Sequence, residues 1–253
     1  MSEVTSNQHA GTPTWIDLGI PDLARAVEFY HAVFGWEFRT GGPETGGYTI
    51  CTLRDKAVAG IMADPNADAT EFWWNVYLAA DDCDATVERV VAAGGAVVHP
   101  AMDVLDKGRM AIVRDPAGSQ FGLWQGRALV GAELVNEPNT LVRNDLMTRN
   151  PEPIAEFYAS VFGFTPERNT QIPGMEFLSL IRSDGHDLGG IFAADDKTPT
   201  GWDTTFEVSD VDTAVRRVAA AGGQASDPED FPFGRLAMIT DPFGARFSVH
   251  AMP

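Results

Sequence analysis

The sequence predicts an α+β protein made of two tandem copies, each of which contains two β-α-β-β-β units. Three observations support this fold class: a long internal repeat, a fainter repeat inside each copy, and alternating strand patterns that run into helix starts. The chain has 253 residues. At about 150 residues per domain, this length allows two domains.

The long repeat is carried by residues 28–36. Their sequence, EFYHAVFGW, recurs 128 residues further on as EFYASVFGF at 156–164. An Asp-Pro-x-Gly turn at 115–118 recurs at 241–244 with a slightly smaller shift, which indicates small loop deletions. The linker between the copies is expected near residue 130. We therefore predict a flexible tail at 1–13, a first domain at 14–128 and a second domain at 129–253.

A fainter repeat of about 60 residues divides each copy into two units, four in all. Each unit begins with a short alternating strand that runs into Asp or Asn, the residues that favour a helix start. In the first unit, apolar residues then recur every three or four positions until Gly35 ends the helix. The predicted first strands cover 15–20, 75–80, 143–148 and 203–208.

Charge and composition exclude several classes of partner. Asp plus Glu is 36 and Lys plus Arg is 18, which gives a net charge of −18. This field repels nucleic acid and anionic lipid, so neither is an expected partner. No apolar run approaches the roughly 20 residues that span a bilayer, and we expect a cytoplasmic protein. Two cysteines, Cys51 and Cys83, are too few for a disulfide framework or a ligand cluster.

With four βαβββ units, the stretch DL-x-x-A-x-x-FY-x-x-VFG at 22–35 and the Asp-Pro-x-Gly turns, the chain resembles the vicinal oxygen chelate superfamily. That superfamily includes glyoxalases, extradiol dioxygenases and bleomycin-resistance proteins, and the pattern is most similar to a two-domain actinobacterial glyoxalase-like subgroup. The resemblance implies tandem glyoxalase-like domains whose curved mixed sheets form concave cups. It does not settle the function, because one fold hosts many activities.

The resemblance also implies where a metal ion would be held. In enzymes of the superfamily the ligands lie on the first and last strands of the units. Counting from the helix starts and the Asp-Pro turns gives Trp15, Asn75 and Gly122 in the first copy, and Arg143, Asp203 and Ser248 in the second. These sets lack the histidines and glutamates that bind iron, zinc or nickel. We predict no metal site and no cofactor, and leave open a divalent metal bound through unusual ligands.

Alternation along the strands predicts what lines the first cup. Trp15, Tyr77 and Trp124 would form an aromatic slot, Gly122 would leave room in it, and Asp17 and Asn75 would be its polar groups. A planar ligand would stack in such a slot. The alternative is that the aromatic rings simply fill the cup.

In the second cup, Arg143 would be surrounded by Asp145, Asp203 and Glu207. This arrangement either binds an anionic substrate or forms a self-contained ion network, and the network is favoured. Ser248 and His250 are further ligand-binding candidates. Asp17 and Asp145, which the repeat relates to each other, are the best acid/base candidates.

We predict a metal-free protein that binds a planar, moderately apolar small molecule, such as a secondary metabolite or antibiotic-like compound, in a concave aromatic cup. The alternative is a glyoxalase-like lyase or isomerase, or a hydroxylase, that acts on a small metabolite through Asp17 or Asp145. A third interpretation is an interaction protein, whose sheets serve only to associate with a partner. Because the duplication lets one chain mimic a dimer, both a monomer and a homodimer are compatible with the sequence.

Overall fold

The computed structural model describes residues 3–64, 66, 69–170 and 175–253. Within these ranges the chain forms two mixed β-sheets, one from each half. The elements of the first half are β1 (Pro13–Ile20), α1 (Leu23–Phe34), β2 (Glu37–Thr40), a 3-10 turn (Pro43–Thr45), β3 (Thr49–Leu53), β4 (Lys56–Ala63), β5 (Trp74–Ala79), α2 (Cys83–Ala92), β6 (Ala96–Val104), β7 (Gly108–Arg114) and β8 (Gln120–Gly126). Those of the second half are β9 (Leu141–Thr148), α3 (Pro151–Phe162), β10 (Thr165–Asn169), β11 (Phe177–Ile181), β12 (Asp187–Ala193), β13 (Gly201–Glu207), α4 (Val211–Ala220), β14 (Gln224–Ala225), β15 (Glu229–Phe231), β16 (Gly234–Thr240) and β17 (Arg246–Ala251).

The two sheets have the same topology. The first has the strand order β2-β3-β4-β1-β5-β8-β7-β6, and the second repeats it from β10 to β14. The first strands of the two units in each half pair antiparallel, β1 with β5 and β9 with β13. The last strand of each unit pairs parallel with the first strand of the same unit. The predicted α+β class with four βαβββ units is therefore confirmed, and in the fourth unit two short strands, β14 and β15, both pair with β16.

Helix starts and ends follow local sequence signals. The carboxylate of Asp22 accepts a hydrogen bond from the backbone N–H of Arg25, 3.1 Å away, and so caps α1. Gly35 ends that helix with a φ of 70°, a left-handed conformation that glycine adopts without steric cost. Helices α1 to α4 have 12, 10, 12 and 10 residues. Within the described part of the chain, no helix is long and apolar enough to cross a membrane.

The two faces of each sheet differ in what they contact. Ile16, Leu18 and Val76 face the helices and belong to a large core that includes residues of both halves. Trp15 and Tyr77, their neighbours along the strands, lie in a separate cluster on the other face. The predicted alternation is therefore confirmed, because consecutive side chains on a strand point to opposite faces.

Two buried hydrogen bonds join the halves of the chain across the shared core. Tyr30 on α1 donates its hydroxyl to Asp241, at 3.0 Å, and Tyr158 on α3 donates to Asp115, at 3.3 Å. Each aspartate begins an Asp-Pro-x-Gly turn, and its other oxygen accepts two backbone N–H groups of that turn. Burial raises the pKa of both carboxyl groups. The two repeated motifs thus bind each other across the duplication.

Residues 4–12 of the segment for which we predict a flexible tail are hydrogen-bonded to the rest of the protein. The backbone N–H of Val4 donates to Glu133 O at 2.9 Å, and Asn7 donates its side-chain amide to Gly126 O at 2.8 Å. Arg182 reaches Thr12 from the second half. The polar composition suggested a loose tail, but polar side chains and backbone groups find partners along the linker. The domain limits at 128 and 129 stay a prediction.

We expect Tyr30→Phe and Tyr158→Phe each to lower the free energy of unfolding by about 1–2 kcal/mol, because each leaves a buried carboxylate without one donor. The two sites are separate, so the double variant should lose the sum within about 0.5 kcal/mol. Urea denaturation followed by circular dichroism measures both quantities. Changes below about 0.5 kcal/mol in both single variants would show that these bonds do not hold the halves together.

Candidate functional site

The first cup is the concave face of the first sheet, and a hydrogen-bond network centred on Asp17 occupies it. Strand pairing sets Asp17 opposite Asn75, and Trp15 opposite Tyr77. The Asp17 carboxylate accepts bonds from the hydroxyls of Tyr48, at 3.1 Å, and Tyr77, at 2.9 Å, and from the amide of Asn75, at 3.1 Å. Tyr48 in turn accepts the indole N–H of Trp15 at 2.8 Å.

Asp17 is buried, and desolvation raises its pKa to about 6, although the bonds from Asn75, Tyr77 and Tyr48 work in the opposite direction. Burial likewise raises the pKa of the Tyr48 and Tyr77 hydroxyls well above its ordinary value, so both remain donors. At neutral pH the network is an ionised carboxylate that is bonded to three neutral donors.

The linker between the halves covers the first cup. Trp124 donates its indole N–H to Leu129 O at 3.0 Å, and Ala132 N donates to Thr14 O at 2.7 Å. Glu133 exchanges two bonds of 2.7 Å with the backbone of Ala57. As a result the three predicted aromatic side chains are largely inaccessible: Trp15 is 4%, Tyr77 5% and Trp124 7% exposed.

The contacts of Gly122 and Asn75 show how the space in the first cup is used. A Cβ at Gly122 would lie 2.0 Å from the ring of Tyr77, so the ring itself uses the room that the glycine leaves. Both polar ends of Asn75 are bonded, to Asp17 and to Trp73 and Gln120. This arrangement agrees with the alternative in which the aromatic rings fill the cup. Asp17 is buried beneath these side chains, which argues against its contact with a ligand.

The second cup is the concave face of the second sheet, and its charged side chains form three separate pairs. Arg143 donates its Nε to both oxygens of Asp145, at 2.9 and 2.8 Å. Ser248 donates its hydroxyl to Asp203 at 3.2 Å. His250 lies 2.8 Å from Glu207, and its other ring nitrogen lies 3.1 Å from Phe233 O. Of the three carboxyl groups predicted around Arg143, Asp145 is bonded to it, whereas Asp203 is bonded to Ser248 and Glu207 contacts His250.

Asp203 is the carboxyl group of the second cup whose pKa is raised. Desolvation and the negative charge of Asp145, its partner across β9 and β13, raise the pKa of Asp203 to about 6. The hydroxyl of Ser248 and the positive charge of Arg246 act in the opposite direction. A carboxyl group with this pKa exchanges its proton near neutral pH. Asp145 is held differently, because Gly190 N and Arg143 both donate to it.

Aromatic and apolar side chains form the walls of the second cup. Phe177 and Phe192 are stacked at 4.6 Å on neighbouring strands, and Arg143 lies 5.9 Å over the ring of Phe177. Gly190 allows this pair to lie close to the sheet, because a Cβ there would meet both rings within 2.7 Å. On the opposite side, Met238 pairs with Ser248 and is 65% exposed. The second cup thus combines an apolar wall, a half-buried cation and an ionisable carboxyl group.

The predicted site residues are split between the two cups. Asp203 and Ser248 are bonded to each other in the second cup, Arg143 is bonded to Asp145, and His250 lies beside Phe233. Sequence reasoning missed the residues that complete the two cups: Tyr48, Phe177, Phe192 and Arg246. Arg246 could have been predicted, because it lies two positions before Ser248 and side chains two positions apart on a strand point to the same face. The other three lie on strands, or before strands, that carry no motif.

The comparison with protein families agrees with this architecture. A model of the Glyoxalase/Bleomycin resistance protein/Dioxygenase superfamily matches residues 12–123 and again residues 140–249. The chain belongs to this superfamily. The resemblance that the sequence motifs indicated is thus confirmed, and the two matches correspond to the two sheets.

Within the superfamily, the chain is 39% identical over 250 residues to "Putative glyoxylase CFP32" of Mycobacterium tuberculosis, with 96% of each chain covered. It is 35% identical over 258 residues to the anthracycline biosynthesis protein DnrV of Streptomyces peucetius, with 94% of this chain and 92% of the relative covered. A Mn(II)-bound glyoxalase from Novosphingobium aromaticivorans shares the fold, with a TM-score of 0.66, 18% identity, and 96% of this chain and 83% of that chain covered.

The residues present do not fit a divalent metal ion at the positions that superfamily enzymes use. In the first cup these positions hold Trp15, Asn75 and Gly122, whose polar atoms are already bonded or which have no side chain. In the second, one of these positions holds the cation Arg143, whose charge repels a metal ion, and the other two hold Asp203 and Ser248, which are bonded to each other. Among the residues that the structure describes, no three His, Cys, Asp or Glu side chains are placed to share a metal.

The Asp17 network predicts a pH-dependent stability. The pKa of Asp17 is about 6 in the folded chain and 3.8 in an unfolded one. The contribution of this carboxyl group to the free energy of unfolding is therefore fully present below about pH 4 and is lost as the pH rises through 6. Asp17→Asn removes this dependence. Relative to wild type, the variant should gain about 1 kcal/mol of unfolding free energy between pH 5 and pH 7.5, measured by urea denaturation.

Asp106→Asn is the control for that experiment, because the Asp106 side chain is exposed and lies outside the network. If wild type and Asp17→Asn differed by the same amount at both pH values, the raised pKa of Asp17 would be wrong.

Proposed function

We propose that this chain is a metal-free binding protein for a planar, moderately apolar small molecule, and that the second cup is its binding site. One observation carries the proposal: the two cups of the duplicated chain differ in access. The first is covered by the linker, whereas in the second the side chain of Arg143 is 38% exposed and Phe192, stacked on the buried Phe177, is half-buried. An apolar wall with a few placed polar groups is typical of small-molecule sites.

Relatives support the class of ligand. Two relatives, at 35% and 34% identity, are named for anthracycline biosynthesis, and anthracyclines contain a planar fused-ring system. Fused rings of this kind would stack on Phe192, which is half-buried, rather than on the buried Phe177. The proposal includes action in the cytoplasm, as a monomer or a homodimer.

Phe192→Ala tests the site. Using equilibrium dialysis with a dihydroxyanthraquinone as the probe, we expect the variant to raise the Kd about tenfold, because it removes one ring of the stacking wall. Trp15→Phe, a change in the covered first cup, should leave the Kd within about twofold. The opposite pattern would place the ligand in the first cup and overturn the assignment.

The same experiment tests metal independence. After dialysis against EDTA, wild type should retain its Kd for the anthraquinone, and readdition of Mn²⁺ or Zn²⁺ should not tighten it. A Kd that depended on added metal would contradict a metal-free site.

A second candidate function rests on Asp203. Its pKa of about 6 and its place beside Ser248 suit a general acid/base that moves a proton to or from a bound ligand, as in an isomerase or lyase. In this role Asp203 replaces Asp17 and Asp145, which the sequence favoured. Asp145 is then a positioning residue for Arg143.

This candidate predicts catalysed proton exchange. In D₂O, the wild type should accelerate exchange of carbon-bound hydrogens next to a carbonyl of an anthracycline, with a rate that rises around pH 6 as Asp203 ionises. Asp203→Asn should lower the rate about a hundredfold and change the Kd by less than about threefold. Mass spectrometry measures the exchange, and a wild-type rate equal to the buffer rate would leave only the binding function.

A further inference from the structure

The guanidinium group of Arg143 is held in a fixed orientation. Its Nε donates to both oxygens of Asp145, at 2.9 and 2.8 Å. Asp145 is itself fixed by the backbone N–H of Gly190, which donates to it at 2.6 Å. The carboxylate thus engages only one of the three nitrogens of the guanidinium.

The other two nitrogens of Arg143 remain available. Within residues 3–64, 66, 69–170 and 175–253, neither Nη1 nor Nη2 has a hydrogen-bond partner, and the side chain is 38% exposed. A guanidinium normally uses its outer N–H groups as a planar fork that binds two oxygens at once. Here the fork lies 5.9 Å over the ring of Phe177, the aromatic wall of the second cup.

The charges around Arg143 indicate what kind of oxygen pair suits it. Burial lowers the pKa of Arg143, and the charges of Asp145 and Asp187 more than offset this effect, so the guanidinium stays charged. Asp203 lies across the strand pair from Asp145. Two carboxyl groups, Asp145 and Asp187, therefore act on one cation, while Arg246 is the positive charge near Asp203. Because the negative charges near Arg143 offset its positive charge, an anion gains no advantage there, and neutral oxygen acceptors suit its two outer nitrogens better.

We infer that Arg143 is the specificity-determining residue of the second cup and binds a coplanar pair of neutral oxygens on an aromatic ring system, such as a hydroxyl beside a ring carbonyl. This inference rests on the proposed binding function and names its ligand class. The ring stacks against the half-buried Phe192, which itself stacks on the buried Phe177, while the two oxygens meet Nη1 and Nη2.

Arg143→Lys tests the inference, because lysine keeps the charge and loses the planar fork. Binding of two probes is compared by equilibrium dialysis: a dihydroxyanthraquinone whose hydroxyls flank a ring carbonyl, and unsubstituted anthraquinone. The variant should raise the Kd of the dihydroxy compound at least tenfold and that of anthraquinone less than twofold. Arg149→Lys, which changes an arginine whose contacts are with Asp195 and Asp196, is the matched control and should change neither Kd.

The outcomes separate the inference from the proposed function. If wild type binds both probes and Arg143→Lys weakens them equally or not at all, Arg143 does not bind the oxygen pair, while the binding function stands. If wild type binds neither probe, both fail. Near-ultraviolet circular dichroism of Arg143→Lys establishes that the fold is intact, and Arg143→Gln, which retains a planar hydrogen-bonding group, should keep part of the preference for the dihydroxy compound.

Discussion

The arrangement of the whole chain depends on the two buried hydrogen bonds between Tyr30 and Asp241 and between Tyr158 and Asp115. Each bond joins a helix of one half to an Asp-Pro-x-Gly turn of the other, so the helix-facing sides of both sheets share one core. An unpaired carboxylate at these depths would be costly, and the reciprocal pairing satisfies both. With the helices turned toward each other, the concave faces lie away from the contact and are left for other uses.

Duplication produced two similar cups, and the linker makes them different. The chain between β8 and β9 has to travel from one half to the other, and its residues Leu129 and Ala132 pack over Trp124 and Trp15 on the way. Among the residues that the structure describes, the aspartate at the centre of the first cup accepts its hydrogen bonds from Tyr48, Asn75 and Tyr77. Its counterpart in the second cup, Asp145, has an arginine beside it instead of a tyrosine network, and that arginine reaches solvent.

The fold could be read from the sequence because it depends on local, repeated signals. Asp22 before α1, Gly35 after it and the alternation of Ile16 and Leu18 with Trp15 each act over a few residues. The site could not be read in the same way. Parity placed Trp15 and Tyr77 on the concave face correctly, but whether that face is open depends on a linker of irregular structure that carries no periodic pattern. Likewise, the alternation of side chains along the strands placed Arg143 on one face with three carboxylates. It could not predict how they pair: in the structure Glu207 contacts His250 and Asp203 is bonded to Ser248.

The central claim is that the first cup is closed by the protein itself and that the second receives the ligand. Hydrogen–deuterium exchange of the protein, free and saturated with a dihydroxyanthraquinone, tests it most directly. The account predicts slower exchange on ligand binding in β9, β11, β12 and β13, and unchanged exchange in β1, β5 and the linker at 127–137. Slower exchange confined to β1, β5 and the linker would contradict the account, because the ligand would then occupy the first cup.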